Sequence, residues 1–106
     1  MVYSYQARAL PKAGREKMVE GAMQMFAEWV LTQPGILHIH QLRDTDTGEL
    51  VGISFWNRKE DCERALALSA SAPDAQPKQR AIAEALQQPL VTRSYEVLWQ
   101  GERRRT

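Results

Sequence analysis

The chain opens on a two-residue alternation. From Val2 to Ala9, Tyr3, Tyr5, Ala7 and Ala9 fall on one face and Ser4, Gln6 and Arg8 on the other. That is the pattern of a strand whose successive side chains point to opposite sides. Pro11-Lys-Ala-Gly14 interrupts it. From about Arg15 to Thr32 the apolar positions Met18, Val19, Ala22, Met25, Phe26, Trp29 and Val30 recur at helical spacing. Arg15, Glu16, Lys17, Glu20, Gln24 and Glu28 take the outer side. Pro34-Gly35 stops this helix.

Alternation returns in Ile36–Arg43 and again in Leu50–Trp56, with Asp44-Thr-Asp-Thr-Gly48 between them. A loop of Asp, Thr and Gly joining two alternating segments predicts an antiparallel hairpin. Asn57, followed by Glu60 three residues on, reads as a capping box opening a second helix. Its inward stripe is Cys62, Ala65, Leu66 and Ser69. Small and turn-forming residues fill 69–77, and Pro77 suits the start of a third helix over 78–88. The core side of that helix reads Ala81, Ile82, Ala85 and Leu86, and Pro89 ends it. Leu90 to Trp99 forms a fourth strand.

Strand, helix, strand, strand, broken helix, strand is the α+β plan of a ferredoxin-like βαββαβ domain, with helices on one face of a four-stranded antiparallel sheet. The other face needs a cover of its own, because both alternation classes carry large apolar residues. Val51, Ile53 and Phe55 form one class in strand three, and Leu50 and Trp56 lie in the other. A twofold homodimer with sheets packed face to face, a dimeric α/β barrel, answers this requirement.

Composition narrows the function classes. With 106 residues the chain suits one domain, taken as 1–100, followed by a basic tail at 101–106. Its net charge of +1 offers no footprint for nucleic acid. No apolar run reaches the roughly 18 residues that span a bilayer, and the N-terminus lacks a signal-peptide plan, so a cytoplasmic location is expected. The single cysteine, Cys62, excludes an intrachain disulfide and a multi-cysteine metal site. An RNA-recognition module would need a basic, aromatic third strand, which Leu50-Val-Gly-Ile-Ser-Phe-Trp56 is not.

Three places carry a resemblance: Pro34-Gly35 before an alternating strand, Ser54-Phe55-Trp56 closing the third strand, and Asn57-Arg-Lys-Glu-Asp61 leading into a small-residue helix. On these the chain resembles the antibiotic biosynthesis monooxygenase (ABM) domain family of the dimeric α/β-barrel superfamily. The resemblance implies a homodimer and a pocket between sheet and helices. It also implies a cofactor-independent monooxygenase acting on a small aromatic or quinone-like compound. The haem-degrading branch would want an Asn on strand one, a Trp ending strand three and a ligating His on the later helical segment. Trp56 matches, Gln6 stands in for the Asn, and 74–82 contains no His, so the central requirement of haem chemistry is missing. Arg64-Ala-Leu66 occupies the place where many ABM sequences carry a helix His.

In that reading Trp56 stacks on the substrate while Asn57 or Gln6 holds its phenolate or carbonyl oxygen, and neither cofactor nor metal is called for. Tyr5, Arg43, Ser54, Arg93 and Tyr95 are further pocket or interface candidates. His38 and His40, two apart on one strand, share a face. They suit an interior or interfacial pair, or substrate orientation. They could also bind a metal if further ligands such as Asp44 or Glu96 converged on them. A non-catalytic dimeric barrel that binds a small hydrophobic ligand is the alternative.

Overall fold

The computed structural model describes residues 1–103; 104–106, the last three residues of the basic tail, lie outside the described residues. The elements are β1 (Tyr3–Ala9), α1 (Glu16–Val30), β2 (Ile36–Arg43), β3 (Leu50–Trp56), α2 (Lys59–Ala70), α3 (Ala75–Glu84) and β4 (Val91–Glu96). The strands form one antiparallel sheet in the order β2-β3-β1-β4, the ferredoxin-like arrangement expected from the sequence. Extents of 44 × 35 × 21 Å describe a slab. Its thin dimension holds one sheet and one helix layer, about 10 Å each.

Register decides which residues share a side. Tyr3, Tyr5, Ala7 and Ala9 pair with Trp56, Ser54, Gly52 and Leu50, and these eight face the helices. Under the helices lie two apolar clusters. One gathers Ala9, Val19, Leu50, Ala85 and Leu86, and the other gathers Val30, Trp56, Cys62 and Ala65. On the open side, Ser4 pairs with Phe55 and Tyr95, Gln6 with Ile53 and Arg93, and Arg8 with Val51 and Val91.

Several boundaries differ from the sequence reading. Along α1, Met18, Met25 and Phe26 are exposed, and Met23 packs on the core instead. The apolar positions spread over a wider arc than the sheet covers, and only the narrower stripe through Val19, Met23 and Val30 meets it. The capping box at Asn57 does not form: Arg58 is the N-cap of α2, in extended backbone and without a side-chain cap. Asn57 instead donates its backbone N–H to Gly35 O at 2.8 Å, tying the β3–α2 junction to the turn after α1. α3 begins at Ala75, not Lys78, so Pro77 lies within its first turn, where no intrahelical acceptor awaits its missing N–H. β4 ends at Glu96, although Val97 N–H still reaches Val2 O at 2.9 Å.

Gly35 shows why that turn needs glycine. Its φ is +89°, and a β-carbon there would collide with the buried Asp61 carboxylate. Asp61 Oδ1 in turn accepts from Arg58 Nη2 at 3.3 Å and Arg64 Nη1 at 3.5 Å.

Candidate functional site

The sequence candidates separate into groups, and the sheet is what separates them. Tyr5, Ser54 and Trp56 meet on the helix-facing side. Trp56 is 2% exposed, and its Nε1–H donates to Ser54 Oγ at 2.9 Å. Ser54 Oγ–H donates to Tyr5 O at 3.2 Å, and from the opposite face Ser4 Oγ–H donates to Ser54 O at 3.0 Å. The one polar atom of the indole is thus satisfied internally, and its rings fill core. Burial pushes the Tyr5 phenol above its ordinary value, with the Thr92 hydroxyl pulling it the other way, so Tyr5 stays a protonated donor at neutral pH.

Gln6 lies three residues from Tyr3 along the strand and so faces the open side, away from Trp56. Asn57 is exposed at the β3–α2 junction. The structure therefore does not bring Gln6, Trp56 and Asn57 around one cavity. Strand parity was legible in the sequence, but the β1–β3 register that relates Gln6 to Trp56 was not. Arg43 faces the helices, where its Nη2 pairs with Glu20 Oε2 of α1 at 2.6 Å; Gln41 Nε2–H donates to Glu20 O at 3.1 Å. Those contacts seat α1 on β2.

His38 and His40 share the open side with Gln6, Arg93 and Tyr95. A bulge between Ile36 and His38 sets this parity, placing His38 opposite Phe55 and His40 opposite Ile53. The His38 ring stacks on Phe55 with centroids 4.5 Å apart. Neither suggested metal donor is near. Glu96 is on the opposite edge strand and the other face. Asp44 accepts from the N–H groups of Asp46 and Thr47 at 2.9 and 3.1 Å, which closes the hairpin turn and holds its carboxyl below the ordinary range. Among the described residues no group of three or more His, Cys, Asp or Glu could hold a metal ion.

A cleft that the sequence did not announce opens where α2 begins. About 460 Å³ in volume, it is lined by Met1, Val2 and Tyr3 of the β1 end, by Ser94, Tyr95 and Glu96 of the β4 end, and by Arg58, Lys59 and Glu60. The pairing of Tyr3 with both Trp56 and Glu96 brings these three strand ends to the first turn of α2. The tandem cations Arg58-Lys59, directly after Trp56-Asn57, are the signal the sequence carries. Their position over β4 required the tertiary structure. The wall of this open cleft carries two cations, Arg58 and Lys59, two carboxylates, Glu60 and Glu96, and the side chains of Tyr3, Tyr95 and Ser94, a mixed polar and aromatic lining of a size that suits a small molecule.

No family model and no curated protein matches the sequence. Solved structures match the fold along nearly the whole chain. Rv0793 from Mycobacterium tuberculosis superposes with a TM-score of 0.79 at 14% identity, over 96% of this chain and 100% of that one. SnoaB, a cofactor-independent oxygenase from Streptomyces nogalater, gives 0.73 at 19% identity, over 93% and 95%. An antibiotic biosynthesis monooxygenase gives 0.70 at 16% identity, over 91% and 98%. The chain has the ferredoxin-like α+β fold of the antibiotic biosynthesis monooxygenase domain family. At these identities the likeness is one of fold, so what the chain does has to be argued from its own side chains.

Proposed function

We propose that this protein is a cofactor-independent oxygenase of the ABM kind, acting in the cytoplasm as a homodimer on a small phenolic or quinone-like compound. The observation that carries the reading is the cleft at the start of α2, where Arg58 and Lys59 face Tyr3 and the end of β4. The fold shared with SnoaB supports it. In such a reaction the substrate supplies all four electrons. A phenol loses its proton, one atom of dioxygen becomes the new carbonyl oxygen as a ring C–H bond breaks, and the other atom leaves as water. The protein's part is to favour the phenolate; in this reading Arg58 and Lys59 do so by donating to the phenolate oxygen, with Glu60 and Glu96 of the same wall turned away from it. The homodimer rests on the open sheet face, where exposed Leu42 and Tyr95 and half-buried Ile53 and Phe55 form an apolar layer that a second copy would cover. Cys62, buried and unpaired, suits a reducing compartment.

The test is oxygen uptake across a panel of phenols and hydroquinones, measured against autoxidation. Uptake above background, with kcat/KM lowered at least tenfold in the Arg58→Gln/Lys59→Gln variant, is the expected result. The complete burial of Trp56 favours a second reading, a non-catalytic barrel that binds a small aromatic ligand in the same cleft. Phenol binding that depends on Arg58 and Lys59, without uptake on any substrate, would select it.

A further inference from the structure

His38 and His40 are used by neither reading, and their geometry has a chemistry of its own. Both are exposed, and both project from the open face of β2, an edge strand of the sheet. Their ring centroids stand 5.3 Å apart with the planes inclined at 69°. A tetrahedral cation about 2.0–2.1 Å from one nitrogen of each ring would hold the two centroids roughly 5 Å apart. The observed centroid spacing is close to that separation.

Two features of the surroundings support this. The His38 ring lies on Phe55, which restricts its rotation and lowers the entropy lost when a cation fixes it. The adjacent strand presents Val51, Ile53 and Phe55 on this face, so among the described residues no positive charge stands beside the pair on that strand. Arg8 and Arg93, the cations on the same face, belong to β1 and β4, and Arg8 is paired with Glu49 at 3.3 Å. The edge position leaves room for water, or for groups of a second copy packed on this face, to complete the coordination.

We propose that His38 and His40 form a two-nitrogen chelate for a borderline divalent cation of the zinc, nickel and copper group, whose preference for imidazole exceeds that of magnesium or calcium. The site lies on the face opposite the α2 cleft and does not depend on the oxygenase reading.

Titration of the full, untagged chain with zinc chloride against a chromophoric chelator tests it, with magnesium chloride as the control. Expected is saturable zinc binding, at one ion per chain or per pair of chains, and no response to magnesium. His40→Gln should weaken binding at least tenfold. His38→Phe keeps an aromatic ring on Phe55 while removing the nitrogens, so it should bind as weakly while melting within a few degrees of the parent. Copper should give an electron paramagnetic resonance spectrum with nitrogen hyperfine splitting that the double variant lacks. Zinc affinity unchanged in the folded double variant, or no zinc bound by the parent chain, would overturn the proposal.

Discussion

Trp56 and Ile53 stand three residues apart on β3 and meet opposite fates. Trp56 lies under the helices, 2% exposed, with its one polar atom hydrogen-bonded to Ser54. Ile53 lies on the open face between His40 and Gln6, partly exposed. The first belongs to a finished core. The second belongs to a surface whose apolar content calls for a cover. Every strand of this sheet is divided in the same way, so a residue's parity says more about its role than its chemical type does. Trp56 holds the domain together, while the cleft sits at the margin, where α2 starts.

This contrast can be broken by mutation. Trp56→Ala should cost about 3–5 kcal/mol of folding stability in chemical denaturation, as large core truncations do. A loss below about 1 kcal/mol would mean that the indole lines a cavity rather than fills one. A second effect on the closed side involves Cys62, whose thiol burial pushes up to about 11 from an ordinary value of 9.0. A thiol that ionises less readily when folded binds more protons in the native state between pH 9 and 11. Stability should therefore fall as pH rises through that window, and Cys62→Ala should remove that contribution to the pH dependence. Near pH 8 the native thiol, 1% exposed, should react with a disulfide reagent far more slowly than that of the unfolded chain, at a rate limited by opening of the core.

On the open side the expectation reverses. Ile53→Lys should change the stability of the single chain by less than about 1 kcal/mol, yet convert a dimer to a monomer in size-exclusion chromatography with light scattering. A parent chain that elutes as a stable monomer at high concentration would end the barrel reading, leaving the fold and the cleft untouched. The smallest effect belongs to Arg43→Ala. Its pair with Glu20 is about half exposed on both sides, and losing it should cost no more than about 0.5–1 kcal/mol, less in high salt.

Much of the fold was legible because period two and period 3.6 are local properties of the chain. The seven elements, the hairpin at Asp44–Gly48 and the stop at Pro34-Gly35 follow from neighbours in sequence. Met25 and Phe26 are exposed despite their helical spacing, because that spacing marks an apolar arc without saying how much of it a sheet will cover. The capping box failed for a related reason: Asn57 is held through its backbone by Gly35, a contact between residues 22 positions apart that no local motif contains. Within the candidate site, the sharing of a face by His38 and His40 was readable, although the bulge after Ile36 had to leave it intact. The separation of Gln6 from Trp56 was not readable, since it depends on which β3 residue stands opposite Tyr3.

The element order, the α+β class, the two-faced apolar character of the sheet and the lack of any His in 74–82 all follow from the sequence alone. The tertiary structure alone decided the strand order, the register, the filling of the core by Trp56, and the cleft that joins Arg58 and Lys59 to the ends of β1 and β4. The division has a physical cause. Side-chain periodicity is set by backbone geometry within a few residues, whereas a site is made by strand ends and helix starts that become neighbours only when non-local pairing brings them together.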